Sequence, residues 1–306
     1  MSIPVQNIMH VNLNVTRLAP ALDFLVGTLG LQTLAHMRAE PQDGAGMGLD
    51  GRVQWDGYSV HDHRAWAGTM LDLLQWQLPA TQGRAQPVPH RLGPSHLMID
   101  VPDLDAVHGR IAAAGLVCLD APGACASDGA RLFRARNEDG SLFELRAGGQ
   151  APEFAGLAIG CSNLERSIAW YRDRLGFVAR TGVATVEEPG VAWGVDGAVA
   201  YRQVDLVLPA QAESGFCLRL QHWLQPRAQL VPCTAANHAG FFRVALGVAD
   251  MQACYHALLA AGVDCPWPPT WLDMGPDVPV NGLWALFFRD PDGSCVELIQ
   301  FPEVHA

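Results

Sequence analysis

The stretch Asn7–Leu31, NIMHVNLNVTRLAPALDFLVGTLGL, aligns without a gap on Glu153–Phe177, EFAGLAIGCSNLERSIAWYRDRLGF. Both open on a short strand-like segment, cross a Thr or Asn, and run through an amphipathic stretch to Leu-Gly. A second pair is Ser95–Leu116, SHLMIDVPDLDAVHGRIAAAGL, with Phe242–Val263, FRVALGVADMQACYHALLAAGV. A third is Asn137–Leu145, NEDGSLFEL, with Asp290–Leu298, DPDGSCVEL. The offsets are 146, 147 and 153 residues. A near-constant offset along almost the whole chain is the mark of an internal duplication. The halves meet at Gly148-Gly149-Gln150-Ala151-Pro152, whose Gly and Pro content suits a linker, so the expected modules are residues 1–149 and 150–306.

Each half divides again. Alternating segments at His10–Val15, His96–Val101, Leu157–Cys161 and Val244–Val248 read as strands. Capped amphipathic helices are expected after them, at Thr16–Gly30, Asp103–Gly115, Asn163–Gly176 and Asp250–Gly262. Hairpins follow, as at Leu132–Arg136 and Leu142–Arg146 around the turn Asn137–Gly140. The formula is βαβββ four times over, an α+β fold.

Composition narrows the function. The chain has 306 residues, 49% hydrophobic and 17% charged, enough apolar material for real cores. Its formal charge is −11, and all 20 basic residues are Arg. Without Lys there is no Schiff-base chemistry and no Walker-type phosphate loop. An acidic exterior also argues against nucleic acid and anionic membranes as partners. No apolar run reaches the roughly 18 residues of a membrane span, and the opening MSIPVQNIMHVNLNV lacks the features of a secretory leader. The eight Cys, with no CxxC pair, read as reduced thiols of a cytoplasmic protein.

The linked phrases His-Val-x-Leu-x-Val, Leu-Gly-Leu and Asp-Gly-Ser-x-Phe-Glu-Leu resemble the glyoxalase/bleomycin-resistance/extradiol-dioxygenase superfamily, the vicinal oxygen chelate proteins. The second half carries matching marks in Trp170–Phe177 and Arg289–Leu298. The resemblance implies two tandem modules with cupped mixed sheets, each pair of βαβββ units enclosing one site. It further implies metal ligands on the opening and closing strands, which places His10, Asp72, His96 and Glu144 at one site in the first half. Two imidazoles with one or two carboxylates suit one divalent ion per chain, whether Fe(II), Mn, Ni, Co or Zn. Asp72 is a methylene shorter than the Glu or Gln usual at its position. The second half has Gly156, Arg219, Arg243 and Glu297 there, so it is expected to lack a metal, with Glu297 paired to Arg243 or Arg219.

The reaction implied is metal-stabilised oxyanion chemistry on a small substrate with adjacent oxygens, of lyase, isomerase or epimerase type, with Glu144 or Asp72 as base. An Fe(II)-dependent extradiol-type dioxygenase is the alternative. It is disfavoured by a triad in the first module and by Arg134 where a Tyr would precede the carboxylate ligand. A metal-free drug-sequestration protein is the second alternative. His61 and His63 are acid–base candidates, and Arg134, Trp55, Trp66 and Trp76 are substrate-contact candidates. A homodimer is compatible with all three readings.

Overall fold

The computed structural model describes residues 2–86, 88–124, 129–228, 232, 235–278 and 280–302. Cys125 and Cys233, counted above among the reduced thiols, lie outside the described residues; the six described Cys are all free. Four βαβββ units are present. Unit one has β1 (Val5–Asn14), β2 (Gln32–Arg38), β3 (Arg52–His61) and β4 (Met70–Leu78). Unit two has β5 (Gly93–Val101), β6 (Val117–Cys118), β7 (Arg131–Arg136) and β8 (Leu142–Ala147). Unit three has β9 (Glu153–Gly160), β10 (Val178–Ala179), β11 (Ala198–Val207) and β12 (Cys217–Gln225). Unit four has β13 (Gly240–Val248), β14 (Thr270–Asp273), β15 (Gly282–Arg289) and β16 (Cys295–Gln300).

Helices follow each opening strand. Three of them, α2 (Leu104–Ala113), α3 (Leu164–Leu175) and α4 (Met251–Ala260), are N-capped by Asp103, Asn163 and Asp250, each accepting a backbone N–H from three residues on. The helix of unit one departs from expectation. It starts as α1 (Leu18–Leu22), continues as a π-type turn over Asp23–Thr28, and has no side-chain cap. Thr16 is engaged elsewhere: its backbone N–H and hydroxyl both donate to the carboxylate of Asp139. Ser162 makes the same pair of bonds to Asp292 in the second half.

The sheets do not follow the halves. One has the strand order β14-β15-β16-β13-β1-β4-β3-β2, with Gln42–Asp43 added on β3, nine strands in all. The other runs β10-β11-β12-β9-β5-β8-β7-β6, with Ala184–Pro189 on β11 and Gly123–Ala124 on β7, ten strands in all. The opening strand of unit one therefore pairs antiparallel with that of unit four, Val11 opposite Val244. Unit two pairs likewise with unit three, Ala158 opposite His96. This corrects the expectation that each half wraps its own sheet. Units of one half are tied by turns such as Thr16–Asp139, whereas units of opposite halves share a sheet.

Strand alternation then divides the side chains. Val11 and Leu13, Leu71 and Leu73, Leu97 and Ile99, Leu157 and Ile159, and Val244 and Leu246 point to one side, into a core common to both sheets and all four helices. Each such side chain contributes about 1.5–3 kcal/mol on burial. The alternate residues face two cups, one per sheet.

The turns before the last strands repeat in detail. Asn137 Oδ1 accepts from the Ser141 N–H at 2.8 Å, and Asp290 Oδ1 accepts from the Ser294 N–H at 2.8 Å. Asp290 is buried, and burial pushes its carboxyl up to about 6 from an ordinary 3.8, against the pull of the Ser294 and Asp292 N–H groups. A folded-state value above the unfolded one means the native state holds the proton longer, so stability falls as pH rises from about 4 to about 6 and is level above. Asp290→Asn, which copies Asn137, is expected to abolish that slope and to raise stability at pH 7 by up to about 3 kcal/mol. Urea unfolding across this pH range checks it.

Candidate functional site

The exchange of partners separates the residues expected to form one metal site. His10 on β1 and Asp72 on β4 face the cup of the nine-stranded sheet, alongside Arg243 on β13 and Glu297 on β16. His96 on β5 and Glu144 on β8 face the other cup, with Gly156 on β9 and Arg219 on β12. The four expected ligands fall two and two on different sheets, because β1 and β5 each pair with a strand of the other half.

The ten-stranded cup is filled. Arg134 is only 1% exposed, with its guanidinium 3.8 Å from the ring centre of Trp193. It pairs with Glu144 at 3.2 Å and Glu188 at 3.4 Å, while Arg219 pairs with Asp205 at 2.8 Å and Glu144 at 3.4 Å. Burial would raise the Glu144 carboxyl, but the Arg134 and Arg219 guanidiniums hold it below its ordinary range. Burial pushes His96 down to about 3, so its ring is neutral, and Trp193 stands edge-on 5.3 Å away. Trp193 packs with Tyr201 and Trp223, and both the Trp193 indole N–H and the Tyr201 hydroxyl donate to Glu188. Arg134 is thus enclosed by its carboxylate partners and Trp193.

The nine-stranded cup is open. The 3-10 turn at Ala45–Met47 is the counterpart, at the first repeat's offset, of the turn at Gly190–Trp193, so Met47 stands where the second half has Trp193. A cavity of about 320 Å³ lies over the sheet, lined by Met9, Met37, Met70, Met274, Trp66 and Phe301 among others, with His10 and Asp72 on its floor. A recess of about 20 Å³ adjoins it between Met47, Trp55, Trp76, His10, Arg243 and Glu297. Of the expected aromatic wall, Trp66 therefore lines the main cavity, and Trp55 and Trp76 line the recess.

Electrostatics govern the floor. Arg243 donates from Nε to Glu297 at 2.6 Å and from Nη2 to Asp72 at 3.0 Å, as expected for Glu297. Burial would raise Glu297, but the Arg243 guanidinium and then His10 hold it below its ordinary value. Asn12 also donates to Asp72 at 3.2 Å. His10 Nε2 lies 3.3 Å from Glu297 and 3.7 Å from Asp72, in ionic reach yet buried without an aligned hydrogen bond. As arranged, these residues do not fit a resident divalent ion. The guanidinium already serves both carboxylates, and among the described residues no group of three His, Cys, Asp or Glu side chains is placed to hold a metal. The sequence reading missed Arg243 and Glu297 as members of this site. The signal was their position in the repeat, which becomes informative only once units one and four are known to pair.

Neither His61 nor His63 is among the described residues lining the cavity or the recess. The His61 ring bonds the Asp62 carbonyl, and His63 is half exposed, 3.7 Å from Glu153. Between them Asp62 forms a clamp. Its buried carboxylate accepts from Arg64 and from the Phe154 N–H, and Arg64 reaches on to the carbonyls of Phe154 and Ser214. Burial opposes its charge, but the Arg64 and backbone hydrogen bonds hold Asp62 below the usual carboxylate range.

Two stability measurements test these assignments. Asp62→Ala strands Arg64 and should cost about 3–5 kcal/mol in chemical denaturation, while His63→Ala stays within about 0.5 kcal/mol. Trp193→Ala should cost about 3–5 kcal/mol by opening a cavity over Arg134, and added indole should recover part of the lost melting temperature.

Comparisons with known proteins accord with this architecture. The glyoxalase/bleomycin resistance protein/dioxygenase superfamily profile matches residues 7–145 and again 154–298. Glyoxalase I from Zea mays superposes with a TM-score of 0.65 at 17% identity, over 96% of this chain and 92% of that one. A Bacillus subtilis protein assigned as a candidate dioxygenase superposes with a TM-score of 0.55 at 13% identity, over 99% and 87%. No curated protein matches the chain. With two profile matches spanning nearly its whole length, the chain belongs to the glyoxalase/bleomycin resistance protein/dioxygenase superfamily, as two tandem modules of the α+β vicinal-oxygen-chelate fold.

Proposed function

We propose that the nine-stranded cup binds a small, mostly apolar molecule and holds its polar end against His10 and Asp72 without a resident metal. The observation that carries this reading is the Arg243 bridge between Asp72 and Glu297 beneath an apolar cavity of about 320 Å³, within the size range of small-molecule sites. The chemistry open to such a floor is proton transfer on the bound molecule. His10, whose side chain is 15% exposed and reaches the cavity, is the group placed to exchange a proton, with the carboxylates of Asp72 and Glu297 3.7 and 3.3 Å from its Nε2. That keeps the non-oxidative character expected from the sequence and transfers it from a first-half site to one shared by both halves.

One observation favours a second reading. His10 Nε2 is a buried nitrogen without a hydrogen bond, facing two carboxylates. A divalent ion held by His10, Asp72 and Glu297 would satisfy it, provided Arg243 left both carboxylates.

Elemental analysis of the purified chain and titration with the neutral fluorophore phenylnaphthylamine decide between them. The expected result is no stoichiometric metal and saturable binding that Ala35→Trp, which fills the cavity, weakens about tenfold or more. About one equivalent of metal, lost in His10→Ala, would instead establish the second reading.

A further inference from the structure

The recess beside His10 carries information about the ligand itself. Trp55 and Trp76 are cross-strand partners on β3 and β4, with ring centres 5.5 Å apart. The Trp76 indole N–H donates to Asn14 Oδ1 at 3.0 Å. The Trp55 N–H has no partner, although the residue is only 4% exposed. An unsatisfied buried donor is destabilising, and an acceptor entering from outside would satisfy it. An indole N–H can only donate. The recess, about 20 Å³, has room for one oxygen-sized group.

Charge then selects the class of ligand. Two carboxylates, Asp72 and Glu297, stand against the one guanidinium of Arg243, which is taken up by both of them. Among the described residues no other Arg lines the cavity or the recess. A carboxylate or phosphate entering here would lose its hydration and meet repulsion, which disfavours glutathione- or acyl-CoA-type conjugates whose anionic parts enter the cup. Apart from Ser59 the remainder of the lining is apolar and thioether-rich, with four of the chain's eight Met residues, a surface that adapts to aromatic faces.

We infer that the ligand is an uncharged molecule with an apolar, ring-containing body that leads with one carbonyl or ether oxygen, accepted by the Trp55 N–H in the recess. The inference rests on the reading of this cup as a small-molecule site.

Displacement of phenylnaphthylamine from the full chain by acetylnaphthalene, naphthalene and naphthoate tests it. At pH 7 the ketone should bind about tenfold tighter than the hydrocarbon and than the acid, the scale of one buried hydrogen bond. Trp55→Phe should remove the preference for ketone over hydrocarbon while naphthalene still binds. Met47→Trp, which copies the second half's filling of its cup, should do the same by closing the recess. Naphthoate binding as well as the ketone, or a ketone preference intact in both variants, overturns the inference. Should none of the three compounds displace the fluorophore, or Ala35→Trp leave its binding unchanged, the reading of the cup as the site fails instead.

Discussion

The pairing of each opening strand with the opening strand of the opposite half governs the rest of this structure. A strand has two faces, and here one must enter the core shared by all four helices, so the other is committed to a cup. Because β1 runs against β13 and β9 against β5, each cup takes one unit from each half. Neither half could complete a cup alone. The turn aspartates Asp139 and Asp292, which hold Thr16 and Ser162, bind the units of one half across the two sheets. Sheet hydrogen bonds and turn clamps therefore interlock the halves in two directions.

Both cups bury charges and pair them, but they do so to different ends. In the ten-stranded cup, Arg134 and Arg219 are matched by Glu144, Glu188 and Asp205, and Trp193 closes over the set. Partners in good geometry are what make such burial tolerable, and their removal would leave an uncompensated charge. In the nine-stranded cup a single Arg243 serves two carboxylates, and the shorter Met47 replaces the large indole. The space left is the cavity and its recess. One duplicated scaffold has thus become a packed support on one side and an open cleft on the other.

The legible part of the sequence was whatever depends on local periodicity. Three helices begin at the expected caps because Asp103, Asn163 and Asp250 need only reach an N–H three residues away. The repeated turns at Asn137 and Asp290 were equally readable, since the Asp-Gly-Ser phrase encodes its own hydrogen bonds. Thr16 failed as a cap because the cap position falls on Arg17, which offers no acceptor, while Thr16, like Ser162, is bound to the turn aspartate. Between His61 and His63, Asp62 ties the loop to β9 through the Phe154 N–H, a long-range contact that no local pattern announces. The Glu297–Arg243 pair was anticipated, but its place beside His10 was not.

By itself the sequence determined the duplication, the four βαβββ units, the family, and the residue types available for chemistry, with Arg as the chain's one permanent cation. Those follow from patterns that repeat over tens of residues and survive any choice of neighbour. Which unit pairs with which was decided only in three dimensions, since either partner offers the same alternating edge to an opening strand. That choice placed His10 with Asp72, Arg243 and Glu297, sent His96 and Glu144 beneath Trp193, and left Trp55 lining a recess with its N–H unpartnered. The physical reason is that strand alternation specifies which face a side chain takes, whereas long-range packing alone specifies what stands opposite it.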